Sequence, residues 1–178
     1  RVCSTPAAFA AIKADGAVVT WGRPDAGSDS SAVQDQLRGN VVHIASTLRA
    51  FAAVKDSGAV VVWGHPTFGG DAAAVRSQLD AGVQQVCATS AAFAALKQGG
   101  YVIAWGRPEA GGCCDEVRAQ LAGGVRHICS TAAAFAATKD DGTVVTWGHE
   151  DYGGDSRKVA HELRGEAPSG QQDRGAQR

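Results

Sequence analysis

Three aspartates stand at one position of a sequence pattern that recurs every 42 residues, and carboxylates repeated in this way could bind a cation. They are Asp29, Asp71 and Asp155. Carboxylate oxygens are preferred ligands of Ca²⁺ and Mg²⁺, but the fourth equivalent position is Cys113, which would break a ring of ligands. An aspartate ahead of a short helix can instead accept hydrogen bonds from free backbone N–H groups. We therefore interpret these residues as helix caps and predict no metal site.

The histidines do not form a catalytic pattern. They fall in three registers, which are His43 with His127, His65 with His149, and His161 alone. No register places a histidine beside a repeated nucleophile and carboxylate, so a Ser-His-Asp triad cannot be assembled from spacing. A Gly-rich phosphate loop with its Lys and Ser/Thr is also missing from the sequence. We predict that the protein is not an enzyme, with no catalytic residue and no cofactor.

Lysines and tryptophans also recur at the 42-residue spacing and could contact a ligand. The lysines could form a basic stripe, and the tryptophans could line a groove for carbohydrate or a small molecule. Lysines near hairpin ends are usually solvated, and one tryptophan in each unit is well placed to close its core. We favour these structural roles for both sets, which are Lys13, Lys55, Lys97 and Lys139, and Trp21, Trp63, Trp105 and Trp147.

The five cysteines are predicted to be reduced. Cys3, Cys87 and Cys129 share a position where the second unit has Ala45, which indicates a small buried site. No Cys-x-x-Cys pair is present, so zinc is not expected. Reduced thiols, no signal peptide and no apolar run of about 18 residues together predict an intracellular protein, cytoplasmic or nuclear.

The elements that position these residues belong to a repeat of 42 residues that occurs four times. Its markers are Phe9, Phe51, Phe93 and Phe135, the four tryptophans, and the turn glycines Gly16, Gly58, Gly100 and Gly142. A fixed period of this length indicates a repeat architecture, in which each unit buries its apolar face against its neighbours. Residues repeated four times are expected to hold the scaffold, so function should lie in what differs between units.

The second unit illustrates the predicted structure. Residues 41–47 and 51–55 read as strands, 56–58 as a turn, 60–63 as a third strand, and 64–70 as a Gly/Pro loop. A helix of about two turns follows Asp71, with Val75 and Leu79 on one face. Each unit is therefore predicted to be strand-strand-strand-helix, in a fold that is mainly β with short helices.

Four units are predicted, at about residues 2–40, 41–82, 83–124 and 125–164, and 165–178 should be a disordered tail. The sequence contains no Met, which suggests a piece of a longer or processed chain. The net charge is −1 with a pI of about 6.6, so no basic field for nucleic acid is expected and no membrane binding is predicted.

The order of the repeat markers within each 42-residue unit resembles the repeat of the regulator-of-chromosome-condensation family. In the second unit the resemblance is carried by Val41-x-x-Ile44-Ala45-Ser46-Thr47, then Ala50 to Lys55, Gly58, Val60 to Trp63 and Gly64. The resemblance implies a β-propeller, with blades as short as those of the β-lactamase-inhibitor propellers. The family blade continues with a Gly-Gln-Leu-Gly segment, which a short helix replaces here. Four units are few for a ring, so we expect an open arc or partial propeller, or pairing through the open ends.

Functionally, the sequence favours a non-catalytic scaffold for protein–protein interaction that is a fragment of a larger regulatory repeat protein. The resemblance also implies two alternatives, part of a guanine nucleotide exchange factor for a small GTPase or a ubiquitin-ligase-associated propeller. A lectin-like module that binds carbohydrate or a small ligand is a third. Partner binding is predicted in the variable loops between residues 23 and 28, 65 and 70, 107 and 112, and 149 and 154. Their candidate contact residues are Arg23, His65, Phe68, Arg107, His149 and Tyr152.

Overall fold

The computed structural model describes residues 1–163, and the predicted tail at 165–178 lies outside the described residues. Four antiparallel sheets of three strands follow one another along the chain. The strands are β1 Val2–Ser4, β2 Ala8–Ile12 and β3 Val18–Gly22; β4 Val41–Ser46, β5 Ala50–Lys55 and β6 Val60–Gly64; β7 Val83–Ala88, β8 Ala92–Lys97 and β9 Val102–Gly106; β10 Val125–Ser130, β11 Ala134–Lys139 and β12 Val144–Gly148. The fold is mainly β and is an open, propeller-like repeat array, as predicted.

Each sheet is a meander in which the conserved spacing places aromatic rings side by side. In the second sheet Phe51 of β5 is paired with Trp63 of β6, and their ring centroids are 5.3 Å apart. The tight turn between these strands contains Gly58 at φ +77°, where a Cβ would lie 2.7 Å from the backbone N of Gly82. Glycine is therefore required both by the left-handed conformation and by the next segment of chain.

The predicted short α-helix is replaced by 3-10 helices, with two in each unit. The first lies in the predicted Gly/Pro loop, where a proline or an acidic residue begins it and a glycine at positive φ ends it. The only α-helix within residues 1–163 is α1, Ala160–Leu163. The 3-10 segments are Pro24–Ala26, Ser31–Leu37, Pro66–Phe68, Ala73–Gln78, Pro108–Ala110, Asp115–Val117, Glu150–Tyr152 and Arg157–Val159.

The core lies between consecutive sheets rather than within one unit. The cluster between the first and second sheets joins Ala10 and Leu37 to Ile44, Phe51 and Val61, all of which are buried. Leu37 follows the third strand of its own unit, yet its 3-10 segment packs on β6 of the next unit. Each unit is therefore stabilised by its neighbour, as expected for a repeat array.

The junction between units has a repeated hydrogen bond at its centre. The indole N–H of Trp105 donates to the carbonyl of Gly69, 3.1 Å away in the preceding unit. Trp63 and Trp147 make the same bond to Gly27 and Gly111. A Cβ on Gly69 would lie 2.6 Å from Cδ2 of Phe93, so the glycine backbone sits directly on the aromatic ring of the next unit. This pairing defines the direction of the array, because the loop of one unit always covers the Phe–Trp pair of the following unit.

Candidate protein-binding face

One end of the four sheets carries all the variable loops, and we call this end the loop face. It consists of the turns between the first and second strands and the loops after the third strand. A threonine joins the two in each unit. Thr47 Oγ1 accepts a hydrogen bond from the backbone N–H of Ala50 at 3.0 Å and donates to the carbonyl of Phe68 at 2.9 Å. The equivalent residues Thr5, Thr89 and Thr131 make the same contacts.

The four loops are of two alternating kinds. The first and third loops combine an arginine with an alanine three residues later, at Arg23 and Ala26 and at Arg107 and Ala110. The second and fourth combine a histidine with an aromatic residue, and the rings meet edge to face. The centroids of His65 and Phe68 are 5.3 Å apart, as are those of His149 and Tyr152. The loop face is therefore chemically uneven, with aromatic rings only in every second unit.

Phe68 lies at the centre of a cation–π cluster on the loop face. The guanidinium carbon of Arg107, from the next loop, is 4.9 Å from the centroid of the Phe68 ring. The guanidinium carbon of Arg49, from the turn between β4 and β5, is 5.5 Å from the same centroid. Cation–π contacts of this length contribute about 0.5 to 1 kcal/mol at exposed sites. We call Arg49, His65, Phe68 and Arg107 the Phe68 cluster.

The two arginines of the Phe68 cluster are only partly paired with carboxylates of this chain. Arg49 has one carboxylate nearby, with Nη1 3.8 Å from Oδ2 of Asp25, while Arg23 already holds Asp25 through two bonds of 3.1 and 2.8 Å. Arg107 forms no ion pair with any carboxylate in residues 1–163. The Nδ1 atom of His65 is buried and has no hydrogen-bond partner among residues 1–163. A guanidinium group has five N–H donors, so Arg49 and Arg107 can still donate hydrogen bonds to a carboxylate of a partner.

A groove runs beside the cluster, between the second and third loops. Its volume is about 490 Å³, and its walls include Thr67, Trp105, Arg107 and Glu109. A groove of this size can receive a side chain or a short segment of a partner. The structure therefore brings His65, Phe68 and Arg107 together from the predicted loop residues. Arg23 lies against Asp25, and His149 and Tyr152 form a separate exposed pair in the last unit.

Arg49 was missed by the sequence analysis, although its signal was present. Its equivalents in the other units are Ala7, Ala91 and Ala133, so it is a large departure from the repeat. The threonines that hold the loops were missed for the opposite reason, because they recur without change and no chemistry drew attention to them. An alignment of the four units identifies Arg49 as a position that differs and the threonines as a position that does not.

The aspartates that could have bound a cation bind backbone and arginine groups instead. Oδ1 of Asp71 accepts the N–H of Ala73 at 2.8 Å, and Asp29 and Asp155 accept the equivalent N–H groups. Hydrogen bonds from Arg157 lower the pKa of Asp155 from 3.8 to about 2. Within residues 1–163 no group of three His, Cys, Asp or Glu side chains could hold a metal ion. In the same range, no helix is long and apolar enough to cross a membrane.

The repeated lysines and tryptophans lie at the junctions between units. Lys55 Nζ donates to the carbonyl of Gln36 at 3.0 Å, and Lys97 and Lys139 make the equivalent bond to Gln78 and Gln120. Three of the tryptophans are buried, whereas Trp21 is exposed. The lysines of the last three units therefore form no continuous stripe that is free for a ligand, and only Trp21 offers a face to one.

The cysteine prediction was wrong in one respect. All five thiols are free, and burial raises the pKa of Cys87 and Cys114, which makes these two less nucleophilic. The shared position is not fully buried, however, since Cys3 and Cys87 are half-buried and Cys129 is exposed. Cys129 is more exposed than Cys3 and Cys87 because the first strand of the following unit covers this position. Cys87 lies against the carbonyl of Ile128, and Cys129 has no following unit within residues 1–163.

Comparisons with known proteins agree with this architecture. No protein-family model and no curated protein matches the chain. Among solved structures, human WBSCR16 is 18% identical, with a TM-score of 0.55 over 83% of this chain and 47% of that one. Prp20p from Saccharomyces cerevisiae, studied for its binding to Gsp1p and histones, is 17% identical, with a TM-score of 0.54 over 83% of this chain and 43% of that one. Yeast RCC1 (Prp20) bound to Kap60 is 14% identical, with a TM-score of 0.58 over 85% of this chain and 44% of that one.

The chain spans less than half the length of these proteins. At such identities the likeness concerns the fold alone, and it agrees with the resemblance seen in the sequence. The chain has the fold of the RCC1-type repeat propellers.

Proposed function

We propose that this chain is a non-catalytic scaffold for protein–protein interaction, and that it binds an acidic segment of a partner at the Phe68 cluster. The observation that carries the proposal is the contact of two guanidinium groups with the Phe68 ring, together with the absence of a carboxylate paired with Arg107 within residues 1–163. Aromatic and arginine side chains are enriched at the centres of interfaces. A partner carboxylate would gain charge-assisted hydrogen bonds there, and its neighbouring apolar side chain could enter the groove.

The position of the cluster supports this role. It stands on loops that a rigid sheet array presents, and such loops commonly carry binding residues. The threonine bond to the carbonyl of Phe68 fixes the backbone of the loop, which lowers the entropy lost when a partner binds. The net charge of −1 gives no long-range attraction for acidic partners, so recognition would depend on this local pair of arginines.

A peptide-display selection tests the proposal. Random peptides would be selected on the purified chain, and the binding of selected peptides would be measured by fluorescence polarisation. We expect sequences enriched in Asp and Glu near an apolar residue, and binding at least about 30-fold weaker in the double variant Arg49→Gln and Arg107→Gln. Both arginines are partly or fully exposed, so this variant should fold.

The chain offers a matched control for the aromatic ring. Tyr101 lies at the opposite end of the sheets and also faces a cation, with Lys97 Nζ 5.7 Å from its centroid. Tyr101→Ala should leave peptide binding unchanged, whereas Phe68→Ala should weaken it. Selected peptides without acidic residues, or equal binding by the double variant, would contradict the proposal.

Nucleotide exchange on a small GTPase is a second candidate, favoured by the fold shared with Prp20p, a protein studied for its binding to Gsp1p. An assay that follows release of a labelled guanine nucleotide from candidate GTPases would test it. Acceleration above the intrinsic rate would support exchange activity, and no acceleration would remove this candidate.

A further inference from the structure

Two adjacent cysteines, Cys113 and Cys114, set the third unit apart from the others. The other units have an aspartate at the first of these positions and a serine or an alanine at the second. These residues are Asp29, Asp71 and Asp155, and Ser30, Ala72 and Ser156. Both cysteine thiols are free. Because neighbouring Cα atoms are only about 3.8 Å apart, the two sulfur atoms can contact the same ligand.

The two thiols lie close together beside β9. Cys113 is exposed, whereas Cys114 is half-buried and lines a groove of about 260 Å³ with Ile103 and Leu121. Burial raises the pKa of Cys114, and the hydrogen bond that its sulfur accepts from the N–H of Ala104 lowers it. A negative charge on Cys113 raises the same pKa, which shows that the sulfur atoms are near enough to interact. One sulfur is therefore anchored on the strand, and the other is accessible from solvent.

Arg118 places a positive charge beside the cysteine pair. Its guanidinium group donates to the carboxylate of Asp115. The pKa of Arg118 is raised first by this carboxylate and also by the charges of the two cysteines. Hydrogen bonds from Arg118 and then from the Cys113 thiol lower the pKa of Asp115. A guanidinium group has five N–H donors, so Arg118 can keep Asp115 and still face a negatively charged pair of sulfur atoms.

The number of ligands decides which metal ion would fit. Structural zinc and iron–sulfur clusters take four protein ligands. In the part of the chain that the structure describes, no group of three His, Cys, Asp or Glu side chains could hold a metal ion. Thiolates are soft ligands that also select Cu(I), and this ion, whose d shell is filled, is stable with two of them. A pair of adjacent thiols therefore suits Cu(I) better than zinc.

We propose that Cys113 and Cys114 bind one Cu(I) ion as a pair of thiolates, with Arg118 balancing the charge. Each thiol gives its proton to solvent and forms one S–Cu bond, so two protons leave for each ion bound and copper stays in the +1 state. The complex of two thiolates with Cu(I) carries one net negative charge, which the neighbouring guanidinium group offsets. The site is separate from the Phe68 cluster and does not depend on the proposed interaction role.

Competition for Cu(I) tests the proposal. The reduced full chain would be added, without oxygen, to Cu(I) held by the coloured chelator bicinchoninate, and loss of colour would report transfer to the protein. We expect uptake of one ion per chain, with a thiolate-to-copper charge-transfer band in the ultraviolet. Cys113→Asp and Cys114→Ser should each abolish this uptake. Both variants restore residues that other units carry at these positions, so they should fold, as circular dichroism would verify.

Matched controls come from the other units. Cys87→Ala introduces the residue found at Ala45 and should leave the uptake unchanged, because the Cys87 sulfur is already bonded to the carbonyl of Ile128 at 3.0 Å. Arg118→Gln should weaken Cu(I) binding about 2- to 5-fold. Arg76→Gln, at the same position of the second unit, should not change it.

X-ray absorption at the copper edge would identify the ligands, and we expect two sulfur neighbours and no nitrogen. Three results would overturn the proposal. They are no uptake by the unsubstituted chain, uptake that persists in both Cys113→Asp and Cys114→Ser, and uptake that is lost in Cys87→Ala.

Discussion

Truncation of the same residue in two units should have very different effects on stability. Phe93 and Phe9 occupy one repeat position and each stacks on a tryptophan, at 5.3 and 5.2 Å. Phe93 is fully buried and carries Gly69 on its ring, whereas Phe9 is 43% exposed. The sequence around them is almost identical, so only the presence of a preceding unit separates the two sites.

We expect Phe93→Ala to lower the free energy of unfolding by about 3 to 5 kcal/mol, because it leaves a cavity between two sheets. Phe9→Ala should cost about 1 to 2 kcal/mol, because nearly half the side chain already faces solvent and no closed cavity forms. Urea unfolding would be followed by circular dichroism and by fluorescence, at a dilution where the chain is a single molecule. Equal losses at the two positions would refute the view that each unit is stabilised by the one before it.

Three further predictions concern the junctions and one exposed carboxylate. Gly69→Ala should lower the free energy of unfolding by at least about 2 kcal/mol in urea, because strain at φ +90° adds to a clash with the next ring, while Gly153→Ala should cost only the strain, about 1 kcal/mol. Trp105→Phe should cost about 1 to 3 kcal/mol in the same assay, because the carbonyl of Gly69 loses its buried donor. The Asp155 carboxyl should titrate with a pKa of about 2 in NMR, lowered from 3.8 mainly by the Arg157 side chain. Its folded pKa is the lower one, so its contribution to stability is present above pH 3.8 and is lost as the pH falls through about 2. Arg157→Gln should raise this pKa, and a titration unchanged by the substitution would contradict the assignment.

The fold could be predicted to a large extent because the period of 42 residues fixes each element relative to its copies. A phenylalanine and a tryptophan recur in every unit at the positions of Phe51 and Trp63, and an Asp-Gly, Ser-Gly or Gly-Gly turn lies between them. Such a pattern identifies strands and hairpins. It does not say which neighbour covers the aromatic pair, because identical spacing is compatible with either direction of packing.

The structure differs from the sequence-based prediction where the local residue pattern is compatible with more than one backbone conformation or degree of burial. Val75 and Leu79 are four residues apart, which is typical of an α-helix, but the 3-10 segment ends at Gln78 and Leu79 still reaches the core. In so short a segment, packing against the next sheet decides the backbone. Cys129 was predicted to be buried from its repeat position, but burial there depends on a following unit.

The candidate site was predictable in part. Variable loop residues include His65, Phe68 and Arg107, which the structure brings together. Arg49 lies 16 residues earlier than His65 in the sequence and reaches Phe68 only because the turn and the loop share one end of the sheet. No spacing rule connects these positions, so the pair of guanidinium groups around one ring emerges from the fold.

The interaction role is tested most directly by NMR chemical-shift mapping with an acidic peptide taken from the selection. We expect chemical-shift changes at the loop face, in the backbone amides of Arg49, Phe68 and Arg107, that saturate as the peptide is added. The hairpin turns at Gly58 and Gly100, at the opposite end of the sheets, should not shift. Saturating shifts confined to those turns, or an absence of shifts in the Phe68 cluster, would contradict the account.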